Sequence, residues 1–190
     1  WVPSSRINLV KPGGFYGHVY TAHRKQVPTD YDKPLLWLPH QLDSSSGGQV
    51  WVTSEKWGPF KGDLLHLSYG KSSLFKVMKE EINGQWQGGA VRFPLRFDSG
   101  IMRGRFNNRD GQLYVVGLRV WQSNGARFGA FHRVRYTGKP VHMPTKINVK
   151  KNGLAITFTN SLDAVSAVND QNWAIDQWNY QWTKNYGSKM

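Results

Sequence analysis

Residues 58–136 contain one β-strand pattern twice, and this repetition constrains the fold more than any other feature of the sequence. The first copy has an apolar run at Gly62–Leu67, a glycine and serine turn, and a second run at Leu74–Val77. The second copy begins at Asp110–Val116 and returns at Phe131–Tyr136 after a longer connection. The two copies begin about 49 residues apart, which is close to the period of a four-stranded propeller blade.

A single propeller blade cannot bury both of its faces, so blades occur in rings of several. A complete ring needs more than the 190 residues of this chain. We therefore expect an all-β fold in which residues 1–140 form an incomplete β-propeller within a longer protein.

The sequence changes character after Thr137–Pro140. Two apolar runs joined by Lys151-Asn152-Gly153 predict a β-hairpin, and Trp178, Tyr180 and Trp182 alternate as on one face of a strand. Residues 141–190 resemble the beginning of an immunoglobulin-like β-sandwich. They are too few for the roughly seven strands of such a domain, so we expect it to be incomplete.

Composition narrows the classes of partner. Hydrophobic residues make up 39% of the chain, which indicates a folded protein, and no apolar run is long enough to span a bilayer. The chain has no cysteine, which excludes disulfides and thiolate chemistry. Its formal net charge is +13, but no like-charge run exceeds a pair such as Lys150-Lys151. Scattered charge favours a solvated surface or an acidic polymer over a specific nucleic-acid site.

The motifs of several enzyme classes are missing. There is no Gly-x-Ser-x-Gly elbow, no P-loop and no Gly-x-Gly-x-x-Gly fingerprint, and the acidic residues form no convincing catalytic pair. His18 and His23 lack metal-ligand spacing, so we predict no metal site from side-chain clusters. A calcium site made by turn carbonyls and carboxylates stays open, because such sites need no fixed spacing. His66 lies in an apolar strand and is either a core or a cleft residue.

Three stretches carry a resemblance to a known family. The first is the segment from Asn8 to Gly17, which has a glycine turn followed by Tyr-Gly. The second is the run Leu38–Val52, with its serine and glycine residues in the middle. The third is Met102-Arg103-Gly104-Arg105, which stands ahead of the strand-like run Asp110–Val115. The chain resembles the late blades of the glucose/sorbosone dehydrogenase β-propellers, which depend on pyrroloquinoline quinone (PQQ). Within that group it is most similar to large multidomain proteins of environmental bacteria, which often carry haem-binding cytochrome c domains elsewhere.

The resemblance implies a site and a setting. Trp37, Lys71, Arg103 and Arg105 stand where the family places its late-blade cofactor contacts, and the catalytic residues would lie upstream of Trp1. It further implies PQQ and calcium as cofactors, a sugar or aldose substrate, a cytochrome electron acceptor, and a periplasmic or secreted location. A quinone with three carboxylates suits arginine, whose planar guanidinium binds carboxylates in a bidentate manner.

Alternatives remain at this stage. Arg103, Arg105 and Lys71 can equally be solvated charges at strand ends. A propeller can also keep its blades without a cofactor and bind acidic polysaccharide or a protein partner through its surplus of Arg, Lys and Trp. Electrostatic association with nucleic acid is a third, weaker hypothesis. Whether the chain is part of an enzyme is therefore left open by the sequence.

Overall fold

The computed structural model describes residues 4–17 and 23–181, and within them the chain is mostly β-strand. The prediction of an all-β fold is confirmed at this level. His18 lies outside the described residues, and so do residues 182–190 of the segment predicted to belong to a sandwich, which include Trp182.

Eleven strands of the described residues form four antiparallel sheets. The first sheet pairs β1 (Ser4–Ile7) with β2 (Leu36–Pro39), and the second is a meander of β3 (Ser46–Trp51), β4 (Leu64–Ser68), β5 (Ser73–Ile82) and β6 (Gln85–Arg92). The third is a meander of β7 (Gly100–Phe106), β8 (Leu113–Leu118) and β9 (Gly129–Val134), and the C-terminal hairpin joins β10 (Pro144–Lys150) to β11 (Gly153–Phe158). One short helix, α1 (Ala164–Val168), and two 3-10 turns at Glu55–Phe60 and Asp170–Asn172 complete the elements.

The repeated strand pattern corresponds to two equivalent strand pairs. β4 pairs with β5 in the second sheet, and β8 pairs with β9 in the third. Their opening residues, Leu64 and Leu113, stand at the spacing seen in the sequence. The predicted strands, and the longer connection between β8 and β9, are therefore confirmed.

Turn chemistry sets the limits of β5 and β6. The dipeptide Asn83-Gly84 predicts a hairpin turn, and this is confirmed, since both residues have the positive φ, 51° and 79°, that a type I′ turn requires. The alternation of apolar and basic residues over 91–97 predicts a strand that is an edge strand or has a bulge at Pro94, but β6 ends at Arg92. Pro94 has no N–H to contribute to a ladder, and the chain turns there with Phe93 buried and Leu95 exposed.

The second sheet is the middle layer of the molecule. On one side, residues such as Leu65 and Leu74 pack with Ile101 and Val115 of the third sheet in the larger apolar cluster. On the other side, Val77 packs with residues of the first sheet in a smaller cluster. Burial on both faces explains why β4 and the first half of β5 are almost continuously buried rather than alternating.

Glycines allow β3 and β7, the first strands of the two meanders, to approach closely. A Cβ atom on Gly47 would lie 2.4 Å from the Ile101 carbonyl oxygen and 2.8 Å from Met102 Cα. A Cβ atom on Gly48 would lie 2.9 Å from the Met102 carbonyl oxygen. The glycine pair that begins β3 therefore sets the distance between the two sheets.

The other face of the third sheet is exposed. Phe131 on β9 is 67% exposed and Val116 beside it on β8 is 41% exposed. The rings of Tyr114 and Phe131 stack on this face with centroids 5.4 Å apart. The three sheets are thus stacked in the order first, second, third. Among the described residues, nothing covers the outer apolar face of the third sheet.

The predicted C-terminal hairpin is confirmed, and it packs against the outer part of β5. The Glu80 carboxylate accepts hydrogen bonds from the Asn148 amide at 2.9 Å and from the Val149 N–H at 2.8 Å. Residues 173–181 contain no strand, so the strand predicted around Trp178 and Tyr180 is not formed over the described residues. Tyr180 stacks on the first sheet instead.

Replacing Gly47 by alanine tests the close approach of β3 and β7. We expect Gly47→Ala to destabilise the chain by about 1–3 kcal/mol, because the new methyl group meets backbone atoms that cannot yield independently. Urea denaturation measures this. Gly129→Ala on β9 is the matched control, since its Cβ atom would lie 3.7 Å from the nearest atom and fit without strain. Equal stability of the two variants would show that the sheets are not packed as described.

Candidate functional site

The serine–glycine loop, residues 43–47, leads from β2 into β3 and contains a buried polar pair. Asp43 and His66 of β4 are 0% and 1% exposed, and His66 Nε2 lies 3.1 Å from Asp43 Oδ2. The Ser46 hydroxyl donates to the same carboxylate oxygen at 2.8 Å, and the Asp43 N–H donates to the Pro39 carbonyl at 3.0 Å. Asp43 thereby ties its loop to β2 and to the middle sheet.

The environment of Asp43 fixes the direction of these bonds. Burial alone raises the pKa of the Asp43 carboxyl, but hydrogen bonds from His66 and from neighbouring serine hydroxyls outweigh it and hold this pKa below its ordinary value. A carboxylate only accepts hydrogen bonds, so His66 Nε2 carries the proton that joins the pair. His66 Nδ1 is buried and has no hydrogen-bond partner among the described residues.

The same loop holds the turn that carries Lys71. Two backbone donors of the β4–β5 turn bind it: the Gly70 N–H donates to the Ser44 carbonyl at 2.8 Å, and the Tyr69 N–H donates to the Ser45 carbonyl at 3.2 Å. Gly70 is required here, because a Cβ atom would lie 2.2 Å from the Ser44 carbonyl oxygen. Lys71 itself is half-buried next to this contact.

The serine–glycine loop also contacts the arginine pair of β7. Arg103 Nη1 donates to the Gly47 carbonyl at 2.9 Å and to the Met102 carbonyl at 2.8 Å. Arg105 Nη1 donates to the Gly104 carbonyl at 2.8 Å. Both arginines are exposed, and the buried Gly104 lies between them. The prediction that the two side chains project the same way from one strand is confirmed.

The arginine pair has unused capacity to bind anions. Neither Arg103 nor Arg105 forms a salt bridge with a carboxylate of the described residues. A guanidinium has five N–H donors, and the bonds recorded for each arginine use only one of its terminal nitrogens. The pair therefore presents two cations and several free donors on one exposed strand face.

Trp37 lies apart from the other predicted site residues. Its ring stacks on Tyr180 with centroids 4.3 Å apart, meets Tyr31 edge-on, and has the Arg6 guanidinium 5.5 Å from its centre. It belongs to the first sheet, which covers the face of the second sheet opposite to β7. The structure joins Lys71 and Arg103 through the serine–glycine loop, with Arg105 beside them, but does not join Trp37 to this group.

The Asp43–His66 pair was not found from the sequence. The two residues are 23 positions apart, and only the alignment of β2, β3 and β4 brings them together. The signal was weak but present, since a histidine inside an apolar strand needs a polar partner when it is buried. Asp43, the one acidic residue at the start of a serine-rich turn, was the available partner.

The described residues contain neither a cluster of potential metal ligands nor a membrane-spanning helix. No group of three or more His, Asp or Glu side chains there is placed to hold a metal ion. No helix in that part of the chain has the length and apolar character to cross a membrane. Calcium binding stays a prediction.

Comparisons with known proteins do not identify the chain. No protein-family model matches it, and the searches of curated proteins and of solved structures gave no match. The family resemblance therefore rests on the sequence motifs quoted above and stays a prediction.

The depressed pKa of Asp43 predicts how stability depends on pH. A carboxyl group whose pKa is lower in the folded than in the unfolded chain stabilises the fold above the unfolded value of about 4, and this contribution is lost as pH falls through the folded value. We expect Asp43→Asn to be less stable than wild type at pH 7, with a smaller further loss between about pH 5 and 2.

Urea midpoints across this pH range measure the effect. The exposed Asp176→Asn is the matched control and should follow the wild-type curve. An Asp43→Asn curve parallel to wild type would show that Asp43 does not have this role.

Proposed function

We propose that this chain is part of a PQQ-dependent sugar or aldose dehydrogenase-like β-propeller, and that Arg103 and Arg105 bind the carboxylates of the quinone. The observation that carries the proposal is the arginine pair on β7, which is exposed, free of carboxylate partners among the described residues, and fixed at one end by the Gly47 carbonyl. The half-buried Lys71, on the other side of the same loop, supplies a third cation.

The chemistry of these residues suits such a ligand. A small planar anion with several carboxylates is best bound by guanidinium groups, which form paired charge-assisted hydrogen bonds. Arg103, Arg105 and Lys71 would hold and orient it. Trp37 lies apart from this group, since its ring contacts Tyr31, which precedes β2, and Tyr180.

The architecture supports a propeller. The second and third sheets are consecutive antiparallel meanders, and the first strands of each, β3 and β7, lie against one another. Neighbouring blades of a propeller are arranged in this way around a central axis. The exposed face around Phe131 on β9 would then receive a further blade, while β7 and its arginines would lie at the central axis.

In this proposal the quinone accepts a hydride from a sugar carbinol or aldehyde, and its electrons pass on to a cytochrome. The residues of this chain bind and orient the cofactor, and the base that takes the substrate proton lies in earlier blades, upstream of Trp1. Such a protein would be periplasmic or secreted, with calcium as an additional cofactor.

A titration of the full-length protein with PQQ, followed by absorbance, tests the cofactor site. We expect Arg103→Ala/Arg105→Ala to weaken binding by about 100-fold or more, because each lost charge-assisted hydrogen bond is worth about 1.5–3 kcal/mol. Arg92→Ala/Arg96→Ala is the matched control, since it removes two exposed arginines that lie outside the third sheet. The proposal fails if wild type binds no quinone, or if both double variants bind it equally.

A second candidate function rests on the exposed face of the third sheet. Tyr114 lies opposite Arg105 on β7 and Arg133 on β9, and Phe131 stacks on its ring. An exposed phenylalanine and a half-buried tyrosine, flanked by guanidinium groups in a chain of net charge +13, favour an acidic polymer. We propose acidic polysaccharide as the ligand if this face is not covered by another blade.

Binding to polygalacturonate and to neutral dextran distinguishes the two functions. We expect Phe131→Ala to weaken polygalacturonate binding by about tenfold through lost apolar contact, and salt to weaken it further. Val149→Ala, an exposed apolar residue of the C-terminal hairpin, is the control. Binding to single-stranded DNA but not to polygalacturonate, or equal binding to dextran, would argue against this candidate.

A further inference from the structure

The serine–glycine loop receives hydrogen bonds from two parts of the proposed site. The turn that carries Lys71 donates to the Ser44 and Ser45 carbonyls, and the Arg103 guanidinium donates to the Gly47 carbonyl. The loop is in turn attached to the middle sheet from inside, by the bond between Asp43 and His66. Lys71 and Arg103 are thus placed relative to each other by one short segment.

We propose that Asp43 and His66 are positioning residues for the anion site, acting on Arg103 through the serine–glycine loop. The inference rests on the function proposed above and goes further, because neither residue is exposed enough to touch a ligand. Asp43 fixes Ser46, Ser46 precedes Gly47 in the chain, and the Gly47 carbonyl holds one end of the Arg103 guanidinium.

The length of the arginine side chain makes such a device useful. Arg103 is exposed, and a free arginine loses considerable rotamer entropy when it binds a ligand. A fixed carbonyl that already holds one nitrogen reduces that loss and leaves the remaining donors aimed outward. The Gly47 carbonyl can do this only if the backbone around it is fixed. The buried Asp43 carboxylate fixes that backbone through its hydrogen bond with Ser46.

The test is PQQ affinity of the full-length protein at pH 7 in wild-type and Arg103→Ala backgrounds. We expect Ser46→Ala and His66→Leu to weaken binding by about tenfold, as is typical when a partner that orients a ligand-binding side chain is removed. His66→Gln keeps an N–H donor and should restore most of the affinity. In the Arg103→Ala background Ser46→Ala and His66→Leu should have no further effect, since they act through Arg103.

Ser46→Ala is the variant that we expect to fold normally, because Ser46 is exposed and the Asp43–His66 hydrogen bond does not depend on its side chain. Ser161→Ala, at an exposed serine beyond the C-terminal hairpin, is the control and should bind as wild type. Equal losses of affinity with and without Arg103 would overturn the inference and leave Asp43 and His66 with a role in stability alone.

A second measurement separates this inference from the proposed function. Hydrogen exchange of the Arg103 guanidinium, followed by NMR without ligand, should be slow in wild type and Ser161→Ala and faster in Ser46→Ala. If wild type binds no quinone while this difference is found, the proposed function fails and the positioning role stands. If exchange is the same in all three proteins, the positioning role is wrong.

Discussion

The burial of the second sheet on both of its faces is the constraint on which the rest of the structure depends. Antiparallel sheets often leave one face to water, but here the first sheet covers one side and the third covers the other. Polar groups inside such a layer must find partners within the protein. His66 is one of these buried polar groups. Its hydrogen bond to Asp43 is therefore required by the stacking of the three sheets, whether or not it also supports the proposed anion site.

The middle layer also explains where chemistry can occur. β4 and the first half of β5 are almost fully buried, so the side chains that could reach a ligand come from the loop and the turn at that end of the sheet and from the neighbouring strand β7. The serine–glycine loop and the β4–β5 turn meet at such an end. A rigid sheet that ends in short, well-bonded turns is a common way to hold binding groups in place.

Local patterns in the sequence predicted most of the strands and only part of the site. The repeated pattern predicted β4, β5, β8 and β9, and the Asn83-Gly84 dipeptide predicted the turn after β5. The two-residue spacing placed Arg103 and Arg105 on one face of a strand. Each of these predictions depends on neighbouring residues alone. The Asp43–His66 bond and the separation of Trp37 from the arginines depend on how sheets stack, which local patterns do not encode. Alternation can also mislead within one strand. The alternating residues 91–97 favoured a strand longer than β6, but Pro94 has no N–H to donate to a continued ladder.

The triplet Arg103-Gly104-Arg105 has a meaning for strand alignment as well as for binding. Gly104 faces the core at a point where a Cβ atom would lie 3.2 Å from Leu67 Cδ2, while the arginines face outward. Side chains alternate along a strand, so a shift of β7 by one residue would turn both cations into the apolar cluster. The two charges therefore fix the register of β7 relative to β8, and they would do so in the absence of any ligand.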